Sequence, residues 1–462
     1  MSEKLAKYGL QVPDILLPAK GTDLSKWAVV ACDQFTSEPD YWEKAKEIAN
    51  DSPSTLQLIF PEIYLKDSDK DQRINNINAK MEEYLAKGTL QPQKPGFILV
   101  DRKTSHSPSR KGLIAAFDLE KYDYSTGSSS LIRATEGTVL DRIPPRVKIR
   151  ENAAVELPHI MILIDDPDRT LIEPLFAETA KLACAYDFEL MLDGGHIKGY
   201  KVEDAESILK IEAALEKLAD PDNFKAKYGV GDDKGVLLFA VGDGNHSLAS
   251  AKAHWENVKT DIKNSSKSDA EKTALLESHP ARFALAELIN VHDDGIVFEP
   301  IHRVLFGVKL QNVLEKYLSF FESANVKSAG YKLFNTREEM TSALNTLSSS
   351  SIGQHIIPFV AEKQYGILVV ENPCCNLEVG TLQAFLDSLV KSNPDIEIDY
   401  IHGDQVVEKL GSDPDCMGFF LPSMSKHDLF KTVILEGVLP RKTFSMGEAE
   451  EKRYYLECRK IK

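Results

Sequence analysis

Short apolar runs alternating with amphipathic, helix-like stretches constrain this chain more than any other feature. GFILVDR (96–102), KGLIAAFDLEKYD (111–123), LPHIMILIDDP (157–167) and VLLFAVGDG (236–244) have the length and residue types of buried strands. KWAVVACDQ (26–34) reads as a further buried strand that runs into a polar loop. PDYWEKAKEIA (39–49), INNINAKMEEYLAK (74–87), DRTLIEPLFAETAKLACAYDF (168–188) and DAESILKIEAALEKLAD (204–220) read as helices. FELMLDGGHIKGYKV (188–202) reads as a β-hairpin with Gly-Gly at its turn, and this is the structural alternative to a second anion motif at DGGHIKG. Such a pattern predicts an α+β fold, a mixed sheet with flanking helices.

With 462 residues the chain should form two or three domains. We divide it into a core over 1–306, a small α/β segment over 307–372 and a C-terminal part over 373–462 whose charged motifs return to the core cleft. The middle segment contains the chemistry-poor stretch NTLSSSSIGQ (345–354), and the polar KTDIKNSSKSDAEK (259–272) reads as a solvated helix end or loop.

Charge narrows the partners. The formal net charge is −16, with 71 acidic against 55 basic residues, which repels a phosphate backbone or an anionic membrane. A small anion in a local basic pocket stays compatible with it. No apolar run approaches the roughly 18 residues of a membrane span, and the N-terminus carries no charged-then-apolar leader. The six cysteines form no C-x-x-C pair, so reduced thiols and a cytoplasmic location are expected.

The chemistry concentrates at GDGNHS, where the 236–244 run meets an Ala-rich helical segment. A strand, a glycine turn and a helix start together make a common anion site, because glycines admit the ligand and free amides face it. Asp243, Gly244, Asn245, His246 and Ser247 are its candidate residues; the bland alternative is a capped turn with a solvent-facing histidine. No Walker loop, H-E-x-x-H, zinc spacing or G-x-S-x-G elbow occurs anywhere.

In IRATEGTVLDRIPPRVKIRE, Glu136 is surrounded by Arg133, Arg142, Arg146, Lys148 and Arg150, with Pro144–Pro145 opposing one continuous helix. This is either a solvated basic strand edge or an acid beside phosphate-binding guanidiniums, able to take the proton of an attacking hydroxyl. His302, Arg303 and Lys442 supply further cations from distant positions. Asp33, at the end of a strand-like run, either grips an ammonium or a metal, or caps its own loop. Asp243, Asp33 and Asp404 could hold a hard cation through oxygen, with Mg²⁺ shared with a phosphate ligand as the expectation.

Asp-Gly-x-His followed by a small-residue helix resembles the second motif of the ParB/sulfiredoxin superfamily. The chain is more similar still to a large family with an Asp-Gly-His-His-Arg signature, some of whose members are kinases of free serine. Here Asn245 replaces the first His and Ser247 the Arg. GLIAAFDLEKY (112–122), IRATEGTVLDR (132–142), FEPIHRVLF (298–306), IDYIHGD (398–404) and LPRKTFSMG (439–447) resemble that family's other boxes in order.

The resemblance implies a ParB/sulfiredoxin-like core and a Mg²⁺-dependent phosphotransferase making O-phosphoserine from free L-serine. It implies Glu136, His246 and Asp243 as catalytic residues, Asp243 also as metal ligand, and Asp33, Thr135 and Thr138 toward the substrate. Gly244, Asn245, Ser247, Arg133, Arg142, His302, Arg303 and Lys442 would bind phosphate. The donor is pyrophosphate or a nucleotide, with pyrophosphate favoured by the compact, Arg-rich site. A nucleotide-binding regulatory module without turnover is the alternative, and a fold-only member a third. Sulfiredoxin chemistry needs a cysteine where Asn245 stands.

Overall fold

The structure, a computed structural model, describes residues 3–324, 326–348 and 353–462. Residues 349–352 of the NTLSSSSIGQ stretch lie outside them. The chain divides into two compact units, one of Met1–Val297 with Gly447–Lys462 and one of Phe298–Met446.

The first unit is built on a ten-stranded mixed sheet. Its order runs Ala183–Glu189, His196–Val202, Phe97–Lys103, Arg110–Asp118, Phe283–Asn290, Met161–Ile164, Phe239–Asp243, Ile132–Ala134 and Tyr122–Asp123, with Leu10–Gln11 paired beside Arg110–Asp118. Most neighbours are antiparallel. Met161–Ile164 with Phe283–Asn290, and Ile132–Ala134 with both of its partners, run parallel. Four elements place the site: strand β1 (Ile132–Ala134), helix α1 (Ile143–Glu151), strand β2 (Phe239–Asp243) and helix α2 (Asn245–Asn264).

The apolar runs follow from this sheet being covered on both faces. Ile98, Val100 and Ile114 join one core with Trp27, Trp42 and Tyr454, while Phe97, Leu99, Leu113 and Ala115 join the other with Phe239, Leu248 and Trp255. Successive side chains of one strand thus feed different cores, so neither face can be polar.

One helix expectation fails at 168–188. Only Glu173–Phe176 is α-helical there, and Ala183–Glu189 is a strand paired with His196–Val202 across the expected hairpin. Its alternation of exposed and half-buried residues suits an edge strand, and Tyr186 packs inward while the apolar count alone mimics a helix. The basic run after Glu136 also resolves differently from a strand edge. It forms α1, with Pro144 and Pro145 in the first turn, where missing N–H groups cost nothing.

Residues 447–462 run through the first unit's interior. Arg453 bridges Glu287 at 3.0 Å and also pairs with Glu457, and all three side chains are fully buried. Removing the guanidinium would strand two carboxylates in low dielectric.

The second unit holds a six-stranded antiparallel sheet in the order Ser328–Phe334, Gln364–Glu371, Gln354–Ala361, Cys416–Phe419, His302–Phe306 and Glu397–Ile401. Strands from either side of positions 306 and 372 therefore share one sheet.

Candidate functional site

The site starts where β2 ends. Gly244 has φ of 80°, and a Cβ there would stand 3.2 Å from the Ile160 Cα, so this turn needs glycine for conformation and for space. The first helical bond of α2 runs from the Leu248 N–H to the Gly244 carbonyl at 3.0 Å, and no side chain caps the helix. The amides of Asn245, His246 and Ser247 therefore lack helical acceptors, at the positive end of a long helix. Leu248, Ala249, Ala251 and Trp255 seat α2 in the core, which fixes the direction of those amides.

The Thr135–Val139 loop is tied to this helix start at both ends. The Thr135 N–H donates to Asn245 Oδ1 at 3.1 Å, and Asn245 Nδ2 donates to Thr135 Oγ1 at 3.2 Å. The Thr135 hydroxyl passes its own proton to the Val241 carbonyl at 2.6 Å. At the far end the Val139 N–H donates to His246 Nε2 at 3.3 Å. Between the two ties sit Glu136, half-buried, and Thr138, whose Oγ1 is buried with no hydrogen-bond partner. Asn245 and Thr135 are buried, and the bonds named turn their polar groups toward each other rather than outward.

The Val139 bond also sets the His246 tautomer. Because Nε2 accepts, Nδ1 carries the proton and can donate to an anion. Burial lowers the His246 pKa, and Arg142 and Arg146 lower it further against the pull of Asp33, so the ring is neutral at neutral pH.

Ser247 makes a different connection. Its Oγ lies 2.7 Å from His159 Nε2, and His159 Nδ1 lies 3.0 Å from Tyr455 Oη. Tyr455 accepts the Cys32 N–H at 3.2 Å. Burial holds the Tyr455 phenol far above its usual range. A mostly apolar cavity of about 140 Å³, walled by residues such as Phe60, Met81 and Val155, opens beside Ser247 and His159, with Glu62, Arg146 and Tyr455 also on its wall. Arg146 pairs with Glu62, whose pKa is raised by burial against Arg146, with Asp33 adding to the rise.

The remaining predicted residues divide sharply. Asp33 is half-buried, near enough to act on both Glu62 and His246. Arg142 is exposed at the start of α1. Arg133 is buried instead, its Nε donating to the Ser130 carbonyl at 2.7 Å and its Nη2 to that of Gly235. Burial lowers it to about 10. Its donors point inward, so the structure gives it the work of a main-chain clamp.

His302, Arg303 and Lys442 lie in the Phe298–Met446 unit. Arg303 is fully buried and donates to the carbonyls of Ile301 and Arg441 and to Gln383. His302 accepts the Leu421 N–H on Nδ1 and faces Asp404 through Nε2 at 3.1 Å. Lys442 is exposed, with φ of 55°.

Asp243 accepts the Gly244 N–H at 3.0 Å and pairs with Lys452 at 3.2 Å. Among the described residues no group of three or more His, Cys, Asp or Glu side chains is placed to hold a metal ion. One carboxylate already balanced by a lysine does not make a Mg²⁺ site by itself.

His159, Glu62, Lys452 and Tyr455 escape a sequence reading, since each is far along the chain from GDGNHS. The one available signal is a histidine at the entry to a buried strand, in LPHIM.

Fold and site together define an α+β protein with an uncapped helix start beside a histidine whose pKa is lowered by burial and by the nearby Arg142 and Arg146. The chain matches, over residues 16–389, the family described as Protein of unknown function (DUF1015), and it belongs to that family. No curated protein matches it. Among solved structures it is similar to a free serine kinase in complex with AMP, at 11% identity and a TM-score of 0.36, over 75% of this chain and 92% of that one. A mutant of a free serine kinase in complex with ADP gives the same figures. A conserved hypothetical protein from Pyrococcus furiosus gives 11% identity and a TM-score of 0.32, over 74% of this chain and 90% of that one. Likeness at this level leaves function to be argued from the site itself. Among the described residues no helix is long and apolar enough to cross a membrane.

Proposed function

We propose that the chain is a phosphotransferase that moves a phosphoryl group from an anhydride donor to the hydroxyl of free L-serine. The observation that carries this reading is His246. Its ring is held neutral with Nδ1–H as donor, beside the free amides of α2 and the exposed guanidinium of Arg142. Phosphoryl transfer asks for charge neutralisation and alignment more than for covalent work, and this arrangement supplies both.

Glu136 is the general base for the acceptor hydroxyl, on a loop tied to the donor-binding helix at Thr135 and Val139. Asp33 takes the serine ammonium. Arg133 and Arg303 drop out of the phosphate set because main-chain carbonyls already hold them. The donor is pyrophosphate or a nucleotide, pyrophosphate being the better match to so compact a site. Mg²⁺ accompanies the donor as its counter-ion, and no step of the proposal runs through it.

Phosphorus NMR of the protein with L-serine and Mg²⁺, run separately with pyrophosphate, ATP and ADP, tests this. A phosphoserine signal with one donor, lost in Glu136→Gln, is the expected result. Silence with all three from folded protein would sink it, and nucleotide binding without product would then favour a regulatory module.

A further inference from the structure

We propose that Ser247 is a nucleophile that carries the phosphoryl group covalently between donor and acceptor, with His159 as its acid and base. The inference rests on the phosphotransferase reading and adds a second step to it.

The geometry is that of nucleophile, base and orienting group. Ser247 Oγ is 2.7 Å from His159 Nε2, and the opposite ring nitrogen is 3.0 Å from Tyr455 Oη. A tyrosine hydroxyl has one proton and two lone pairs. One lone pair of Tyr455 takes the Cys32 N–H. In the proposed tautomer the second lone pair accepts His159 Nδ1–H, so Nε2 faces Ser247 as an acceptor. The tyrosine, buried and neutral, orients the ring and takes no proton itself, the part a third group plays in such triads.

One further feature places the reacting group at Ser247: with His159 it lines the cavity of about 140 Å³, whose wall is otherwise mostly apolar apart from Tyr455, Cys32, Ser250, the Arg150–Glu156 pair and the Glu62–Arg146 ion pair.

The steps balance. Ser247 Oγ attacks the terminal phosphorus of a phosphoric anhydride, and its proton passes to His159 Nε2. The Oγ–P bond forms as the anhydride P–O bond breaks, and the leaving phosphate departs as an anion. The serine hydroxyl of the acceptor then attacks phospho-Ser247 and gives its proton to Glu136. Ser247 Oγ leaves and recovers its proton from His159. Nothing is oxidised or reduced.

Two measurements on the whole chain test this. A phosphonofluoridate probe, followed by peptide mass spectrometry, should label Ser247 and should label His159→Gln roughly 10²-fold more slowly. Pyrophosphate, ATP or ADP without acceptor, quenched in acid, should leave one phosphoryl group on Ser247 that added L-serine removes. Thermal unfolding of Ser247→Ala and His159→Gln checks that both fold.

Absence of probe label would overturn the nucleophile. Probe label without phosphoryl label from any donor would overturn the covalent phosphoryl step. Phosphoserine still produced by Ser247→Ala would overturn the intermediate while leaving the phosphotransferase intact. A phospho-Ser247 that L-serine does not discharge would uphold the covalent step and remove serine as the acceptor.

Discussion

Two histidines, one in each unit, differ in whether the fold engages both ring nitrogens. His246 and His302 each accept a main-chain N–H on one ring nitrogen, from Val139 and Leu421. Burial lowers the pKa of both. They differ in the other nitrogen. That of His302 faces the Asp404 carboxylate, and its neighbour Arg303 is tied to carbonyls on three sides with Gln383. For that of His246 no carboxylate contact of this kind is found among the described residues, and nearby Arg142, exposed, and Arg146, paired with Glu62, lower its pKa further. A cation whose donors are consumed by the fold stabilises the fold; one held in place by the backbone with a donor to spare can meet a ligand.

The comparison breaks most easily at Glu136. In Glu136→Gln, serine phosphorylation should fall by about 10²–10⁴-fold, the range of a lost general base, with the urea midpoint unchanged. A matching loss of stability would put Glu136 with the structural group instead.

Arg303→Met should do the reverse. It leaves buried carbonyls of Ile301 and Arg441 without donors, so we expect a loss of about 3 kcal/mol in urea unfolding, and no change in kcat once the folded fraction is corrected.

Acid should separate the two behaviours within α2 itself. His254 is buried, and burial, with Arg150 and His279 nearby, lowers it to about 4. The unfolded chain binds this proton from about pH 6.5 downward while the folded chain does not. Stability is therefore lost as pH falls from about 6.5 toward 4, by roughly 3 kcal/mol. His254→Gln should flatten that limb in unfolding curves measured across the range.

His246 should appear in rate rather than stability. Protonating Nε2 removes the acceptor for the Val139 N–H and frees the end of the loop that carries Glu136. The pH–rate profile should therefore show an acid limb centred below the ordinary histidine value of about 6.5. A limb at or above 6.5 would contradict the lowered pKa.

The smallest effect expected is at Arg142. Because it is exposed, Arg142→Ala should leave the unfolding midpoint in place and raise the donor KM about tenfold, near 1.4 kcal/mol, in steady-state assays. An unchanged KM would remove it from the phosphate set.

Much of the first unit was legible. PDYWEKAKEIA is a helix from Pro39 to Ala49, GFILVDR from its Phe97 onward lies in the Phe97–Lys103 strand, and the Gly-Gly turn joins two paired strands. These are local matters of period and turn chemistry, which a sequence carries on its face. The strand at Ala183–Glu189 was misread because its pairing partner, rather than its own pattern, makes it a strand.

In the site, the strand, glycine turn and helix at GDGNHS were determined by the sequence alone, since a strand end, a required glycine at 244 and a small-residue helix are neighbours along the chain. Which cations remain free was not. Arg133 and Arg142 look alike as letters nine positions apart, and only the carbonyls folded around Arg133 take it out of reach. The Ser247–His159–Tyr455 line was likewise decided by tertiary structure, because hydrogen bonds spanning 88 and 296 positions leave no spacing to read. Donors and acceptors are spent on whatever the fold brings near, and a sequence orders residues only along the chain.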